Sequence, residues 1–270
     1  IAAAPIAEES EVLMLVPMAS NPEVTARRRF VFRLAFLDSF QGEVLARFAF
    51  DSLGVRRAGV LHDAASTYGR DIATLFATTF ADLGGEVVGV ERFDTDGSRD
   101  YRPQLRRLLA RRPQALLLPN FVSADSVQLR QAIELGFTGR FLGTDSWDVR
   151  GLAATPAYHG ALVVGNWDRD TTREMARRFH AEWKRSHDST PFATAAATYD
   201  AVHIVAEAMR RSGRRGGTIL ADSLRSFGRY EGAVSAFDFR GSNDPVRGAV
   251  LLQLGPDGLG IRTAVRPRSP

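Results

Sequence analysis

At 270 residues, 44% hydrophobic and 24% charged, the chain has enough apolar residues for one large or two modest cores. No apolar run approaches the roughly 18–20 residues that cross a bilayer, and the absence of cysteine excludes disulfides, thiolate nucleophiles and zinc–thiolate sites. The net charge of +4 comes from arginine, with Lys184 the single lysine; the arginine pairs are dispersed among acids, which fits solvated helix faces and last turns better than a nucleic-acid surface.

Residues 1–9 are alanine-rich, read as helix, and carry neither the basic nor the apolar stretch of a signal peptide. Residues 11–16 (EVLMLV) read as a short strand, and the cluster Pro17, Met18, Ala19, Ser20, Asn21, Pro22 behind it reads as a loop. Its Ser20 hydroxyl and backbone N–H groups could donate to an anion, although a plain turn explains the composition equally well. Residues 30–36 read as the next strand. Asp38 and Ser39 open a helix to about residue 53, stopped at Gly54.

The rest of the chain is organised around the stretch 56–80. Ala58 to Leu61 is an apolar strand, His62 and Asp63 begin a polar loop, and Ser66 or Thr67 caps a helix carrying Ile72, Leu75, Phe76 and Phe80. Loops at the carboxyl ends of parallel strands are where open α/β sheets hold ligands, and this one carries Tyr68.

Strands then read at 86–93, 115–118, 140–143 and 160–165, alternating with helices at about 101–109 and, opened by Ser123, about 123–135. The repeat of strand and helix predicts a parallel sheet with right-handed crossovers. Met175, Phe179 and Trp183 lie four apart on a helix and read as core. The helix over 193–211 has apolar residues on several sides and is expected to be well buried, His203 with it. Thr218 is expected to cap a helix. The tail changes to strand-like segments at 233–239, 249–254 and 259–265 between Gly, Pro, Asn and Asp turns.

Catalytic motifs are missing. The sole lysine follows Trp183, which excludes a phosphate-binding G-x-x-x-x-G-K loop, there is no G-x-S-x-G elbow, and none of the five histidines has the i, i+4 partner of a helical metal site. His62 beside Asp63 is a weak acid–base candidate. What remains is a set of strand-terminal loops with hydrogen-bonding and aromatic groups: Met18 to Asn21, Tyr68, Asn120 and Phe121, Asp145 to Trp147, and Asn166 with Trp167. Such groups suit small-molecule recognition. No catalytic residue, metal or cofactor is expected.

Taken in order, Pro17 to Pro22, Phe32-Arg33 with Asp38 and Gln41-Gly42, Ser66 to Gly69, Gly143 to Asp145, and Ala197 to Ala201 resemble the type I periplasmic binding proteins, closest to the leucine/isoleucine/valine group that serves ABC transporters. The resemblance covers nearly the whole chain. It implies an α/β fold of two lobes, each a parallel sheet flanked by helices, joined by three crossovers, with ligand closing the gap. The expected division is 1–38 for the remainder of lobe one and the first crossing, 39–190 for lobe two, 191–247 for the return to lobe one, and 248–270 for strands returning to lobe two or the hinge. The first strands of lobe one, with a signal peptide, are expected to precede Ile1.

Carried over, the resemblance puts Ser20 and the backbone of Met18 and Ala19 on a ligand carboxylate, and Tyr68 on the ligand from the other lobe, with Asp145 and Asn166 nearby. The family's amino-acid binders typically place glutamate where Asn166 stands. Asp145 or Asp168 would then supply the countercharge, or the ligand lacks an α-ammonium. Phe121, Trp147 and Trp167 could favour a larger or aromatic ligand, or serve packing. The implied role is an extracytoplasmic solute receptor, periplasmic or lipid-anchored, that hands a carboxylate-bearing ligand to an ABC permease. The alternative is a sensing domain of the same fold that signals to a protein partner.

Overall fold

The computed structural model describes residues 1–94, 99–147, 152–167, 173–213 and 215–265. In chain order these form α1 (Ala3–Glu9), β1 (Met14–Val16), β2 (Val31–Arg33), α2 (Asp38–Arg47), β3 (Arg57–Asp63), α3 (Thr67–Asp82), β4 (Glu86–Phe93), α4 (Arg102–Leu109), β5 (Ala115–Leu117), α5 (Val122–Glu134), β6 (Arg140–Gly143) and β7 (Leu162–Gly165). Beyond them lie α6 (Glu174–Ser186), α7 (Ala193–Arg211), α8 (Gly217–Arg225), β8 (Arg229–Glu231), β9 (Ala236–Asp238), β10 (Ala249–Gly255) and β11 (Gly258–Val265). The described residues divide into two compact units: Ile1–Leu37 and Asn166–Ala249 make the first, Asp38–Gly165 and Val250–Val265 the second. The polypeptide crosses between them after Leu37, Gly165 and Ala249.

The second unit is built on a seven-stranded sheet in the order β11-β10-β7-β6-β5-β3-β4. Strands β3 to β7 run parallel, and β10 lies antiparallel against β7. Every residue of β5 is buried, as expected of a central strand covered on both faces. Helix α3 buries Ile72, Phe76 and Phe80, one helical turn apart and therefore on one side. It lies so close to α2 that a Cβ at Gly42 would stand 2.7 Å from the Ile72 carbonyl oxygen. The core below joins Leu61, Leu105, Leu116, Leu129 and Phe141. The sequence expectation of alternating strands and helices over this region matches these elements.

The first unit contains a two-stranded parallel pair, β1 with β2, and an antiparallel pair, β8 with β9. Its core packs Phe30, Phe32 and Leu34 with Phe179, Ala197, Ile204, Phe237 and Phe239.

Three expectations need correction, and one strand has no counterpart among them. A boundary at 190 places α6 in lobe two, but the return to the first unit begins at Asn166, because Ala176 and Phe179 bury their side chains in that unit's core. Helix α7 buries one face only: Ala196, Ala197, Asp200, Ala201, Ile204 and Ala208 are inside, while Val202 and Met209 are 64% and 43% exposed and His203 is half-buried. Thr218 lies inside α8, whose N-cap is Gly216; a glycine at that position needs no side-chain bond. Strand β8 carries no strand signal in the sequence, since its Arg229, Tyr230 and Glu231 have no apolar alternation and pair only because the chain turns back at 232–235.

Candidate functional site

In the second unit the site residues stand at the carboxyl ends of β3, β5 and β6. Ser66 accepts from the Gly69 N–H at 3.1 Å, which satisfies one of the donors left free at the start of α3 and fixes Tyr68 in the first turn. Gly69 itself sits tightly: a Cβ there would come within 2.7 Å of the Pro119 carbonyl oxygen. Buried Asn120 joins the neighbouring ends. Its amide nitrogen donates to the Leu61 carbonyl at 2.8 Å and to Gln128 Oε1 at 2.9 Å, and its Oδ1 accepts from the Asp63 N–H at 3.0 Å. Ser146 Oγ donates to the Asn120 carbonyl at 2.6 Å. Three strand ends are thereby locked to one another.

On this frame the structure brings together Tyr68, Phe121 and Asp145. The Tyr68 hydroxyl donates to Asp145 Oδ1 at 2.7 Å, and its ring stacks on Phe121 with centroids 5.1 Å apart and planes 25° from parallel. Phe121 is the N-cap residue of α5 and stays 55% exposed. Burial first, and then the Asp145 charge, push the Tyr68 phenol well above its usual range, so it remains a donor at neutral pH. The Asp145 N–H donates to Gln41 Oε1 at 3.1 Å. Gln41 is fully buried, and its Nε2 has no partner among the described residues. The arrangement offers an oriented carboxylate beside an exposed aromatic face.

Trp147 is not part of that face. It is buried in the core of the second unit, its Nε1 donates to the Leu118 carbonyl at 3.0 Å, and its indole covers Gly143 so closely that a Cβ there would stand 2.4 Å away. The expectation that it contacts ligand is corrected: the small residue at Gly143 and the carbonyl at Leu118 draw the ring inward. Trp167 packs likewise in the other core, edge-on to Phe179 at 5.9 Å. His62 is buried, its Nδ1 2.9 Å from the Asp63 carbonyl; burial lowers its pKa, and the ring serves the strand end.

In the first unit Met18, Ala19 and Ser20 form the half-buried loop after β1. Fully buried Arg33 holds it from beneath, donating to the carbonyls of Ala19 at 3.4 Å, Asn21 at 2.9 Å and Pro22 at 3.2 Å. Asp244 and the Thr25 hydroxyl accept from the same guanidinium at 2.5 Å each. With its carbonyls drawn inward, the loop leaves the N–H groups of Ala19 and Ser20 without an acceptor among the described residues. Asn166 is buried, and its backbone carbonyl accepts from Arg247. Asp168, the alternative countercharge, lies outside the described residues.

Arg33, Gln41 and Arg247 have structural roles that the sequence pattern does not announce. The available signal is charge or amide in an apolar setting: Arg33 interrupts the apolar run 30–36, and Gln41 faces the buried side of α2. Arg247, between turns, gives no such signal.

Comparison with known proteins agrees with this architecture. The sequence profile described as periplasmic binding protein matches residues 1–258. The leucine-, isoleucine-, valine-, threonine-, and alanine-binding protein of Pseudomonas aeruginosa is 25% identical over 223 residues, 82% of this chain and 59% of that protein. The leucine-specific-binding protein of Salmonella typhimurium is 27% identical over 232 residues, 84% and 61% of the two. The chain therefore spans about three-fifths of the length of these curated relatives. A leucine binding protein from Thermotoga maritima superposes with a TM-score of 0.87 at 30% identity, covering 98% of this chain and 76% of that one. A solute binding protein from R. palustris in complex with benzoate shares the fold at a TM-score of 0.86 and 17% identity, over 98% and 74% of the chains.

Proposed function

The chain belongs to the periplasmic binding protein family, whose type I α/β fold it has, and on that premise we propose that it is an extracytoplasmic solute-binding protein, not an enzyme, that delivers a small carboxylate-bearing ligand to an ABC permease. The observation that carries the reading is the oriented carboxylate of Asp145 beside the Tyr68–Phe121 stack, at strand ends where such folds take ligands. In this reading Ala19 and Ser20 of the first unit offer anion-binding donors, and Met18 and Asn166 are further proposed contacts. Hinge motion between the units on binding is the proposed response. Named relatives that bind leucine, isoleucine and valine support an aliphatic amino acid; the absence of glutamate at Asn166 supports a ligand without an α-ammonium. Both are carboxylates.

Among the described residues of unit one, β1 and β2 form a parallel sheet of two strands, whereas parallel sheets are ordinarily larger and covered on both faces. The proposal includes further strands of the same protein on that pair. Periplasmic and lipid-anchored forms are both compatible with the reading, and fractionation of the source cells separates them.

The test is a thermal-shift titration with L-leucine, L-isoleucine and benzoate as probes. A ligand at a hundredfold excess over Kd stabilises by about 2.7 kcal/mol. The expected result is a saturable rise in Tm with at least one probe that Tyr68→Ala removes. A rise that survives Tyr68→Ala, or no rise with any of the three, overturns the assignment.

A further inference from the structure

Arg247 stands two residues before the third crossing, which comes after Ala249. Its side chain is almost wholly buried, between the rings of Phe36 and Phe237 at 5.4 and 5.5 Å. One guanidinium nitrogen donates to the Leu34 carbonyl at 3.0 Å, three residues before the first crossing at Leu37. Another donates to the carbonyl of Asn166, the first residue after the second crossing. A single side chain from the third connection thus bonds the backbones of the other two.

We propose that Arg247 is the positioning residue of the hinge: it ties the three connections into one joint on the side of the first unit, so that motion between the units passes through a common pivot. The chemistry favours arginine for this task. A guanidinium stays charged when buried and presents several N–H groups in a fixed fork, which can span two carbonyls; a lysine ammonium is a single point on a flexible stem. Removing the fork leaves two buried carbonyls without their donor, which frees each strand to move by itself. The carbonyl at Asn166 is also the backbone of a proposed ligand contact, so the same bond fixes that residue's position.

Arg173 provides an internal control. Its guanidinium donates to the carbonyls of Gly232 at 3.0 Å and Val234 at 2.9 Å, the same kind of bond within the same unit, but at a loop that none of the crossings enters.

The chain has no cysteine, so spin labels can be placed at Thr78→Cys on α3 and Ala206→Cys on α7, both exposed and one in each unit. The distance distribution between them is measured by double electron–electron resonance without ligand, for the parent and for Arg247→Lys, Arg247→Met and Arg173→Met. The expected result is a distribution at least twofold broader for both Arg247 variants and unchanged for Arg173→Met. Arg247→Lys retains the charge and most of the volume and serves if the methionine variant fails to fold. Parental width in Arg247→Lys, or equal broadening in Arg173→Met, overturns the proposal. The measurement needs no ligand, so its outcome is independent of whether leucine, isoleucine or benzoate binds.

Discussion

Tyr68 and Asp145, from the first turn of one helix and from the loop behind a strand two places away in the sheet, are joined by a hydrogen bond of 2.7 Å. Tyr68→Phe removes that bond and keeps the ring on Phe121. A hydrogen bond to a charged group contributes about 1.5–3 kcal/mol, so urea unfolding is expected to show a loss of about 1–2 kcal/mol. Any probe that raises the Tm of the parent is expected to do so less in the variant.

Phe121→Ala separates binding from stability. The residue is 55% exposed, and surface changes of this kind ordinarily shift stability by about 0.5 kcal/mol or less. Unfolding midpoints should therefore remain close to the parent, while ligand-induced stabilisation falls. Equal loss in both would assign Phe121 to packing.

Ser66→Ala deletes the side-chain acceptor of the Gly69 N–H. Loss of such a cap costs about 1 kcal/mol. Urea titration should record a lowered midpoint at unchanged m-value, and Ser66→Asp, which keeps an acceptor and a negative charge at a helix start, should restore it.

Gly143→Ala places a methyl group 2.4 Å from the Trp147 indole. The ring has no room to retreat in a filled core, and overpacking of this kind costs about 1–3 kcal/mol. Tryptophan fluorescence should shift together with a lowered Tm. Full stability would mean that Trp147 is free to leave the core.

Asp200 gives a pH dependence. Its carboxylate is buried on α7 and accepts from the N–H groups of Ala233 at 2.6 Å and Val234 at 2.8 Å. Burial raises its pKa to about 6, against the opposing pull of those two donors and of Arg247 and Arg173. The folded pKa lies above the unfolded one, about 3.9, so the folded state holds the proton more tightly. The resulting stabilisation is complete below about pH 4 and is lost as the pH rises through about 6. Compared with Asp200→Asn, which does not titrate there, the parent should lose on the order of 1–3 kcal/mol of relative stability between those limits. Urea midpoints measured at pH 4, 5, 6 and 7 check it; a parent that gains on the variant as the pH rises would contradict the sign.

What the sequence determined by itself is local. The apolar runs at Ala58 to Leu61 and Ala115 to Leu118, the helical spacing of Ile72, Phe76 and Phe80, and the cap at Ser66 come from nearest-neighbour sterics and from the period of burial, and all are present in the structure. Tyr68 at a strand-terminal loop is legible for the same reason. Only the tertiary structure decided which groups meet. Tyr68 finds Asp145 77 residues away, Arg247 finds Leu34 213 residues away, and Trp147 turns inward because a glycine and a carbonyl wait there. Such pairings depend on the order of strands in a sheet and on where a long chain crosses between units, and residue spacing carries neither.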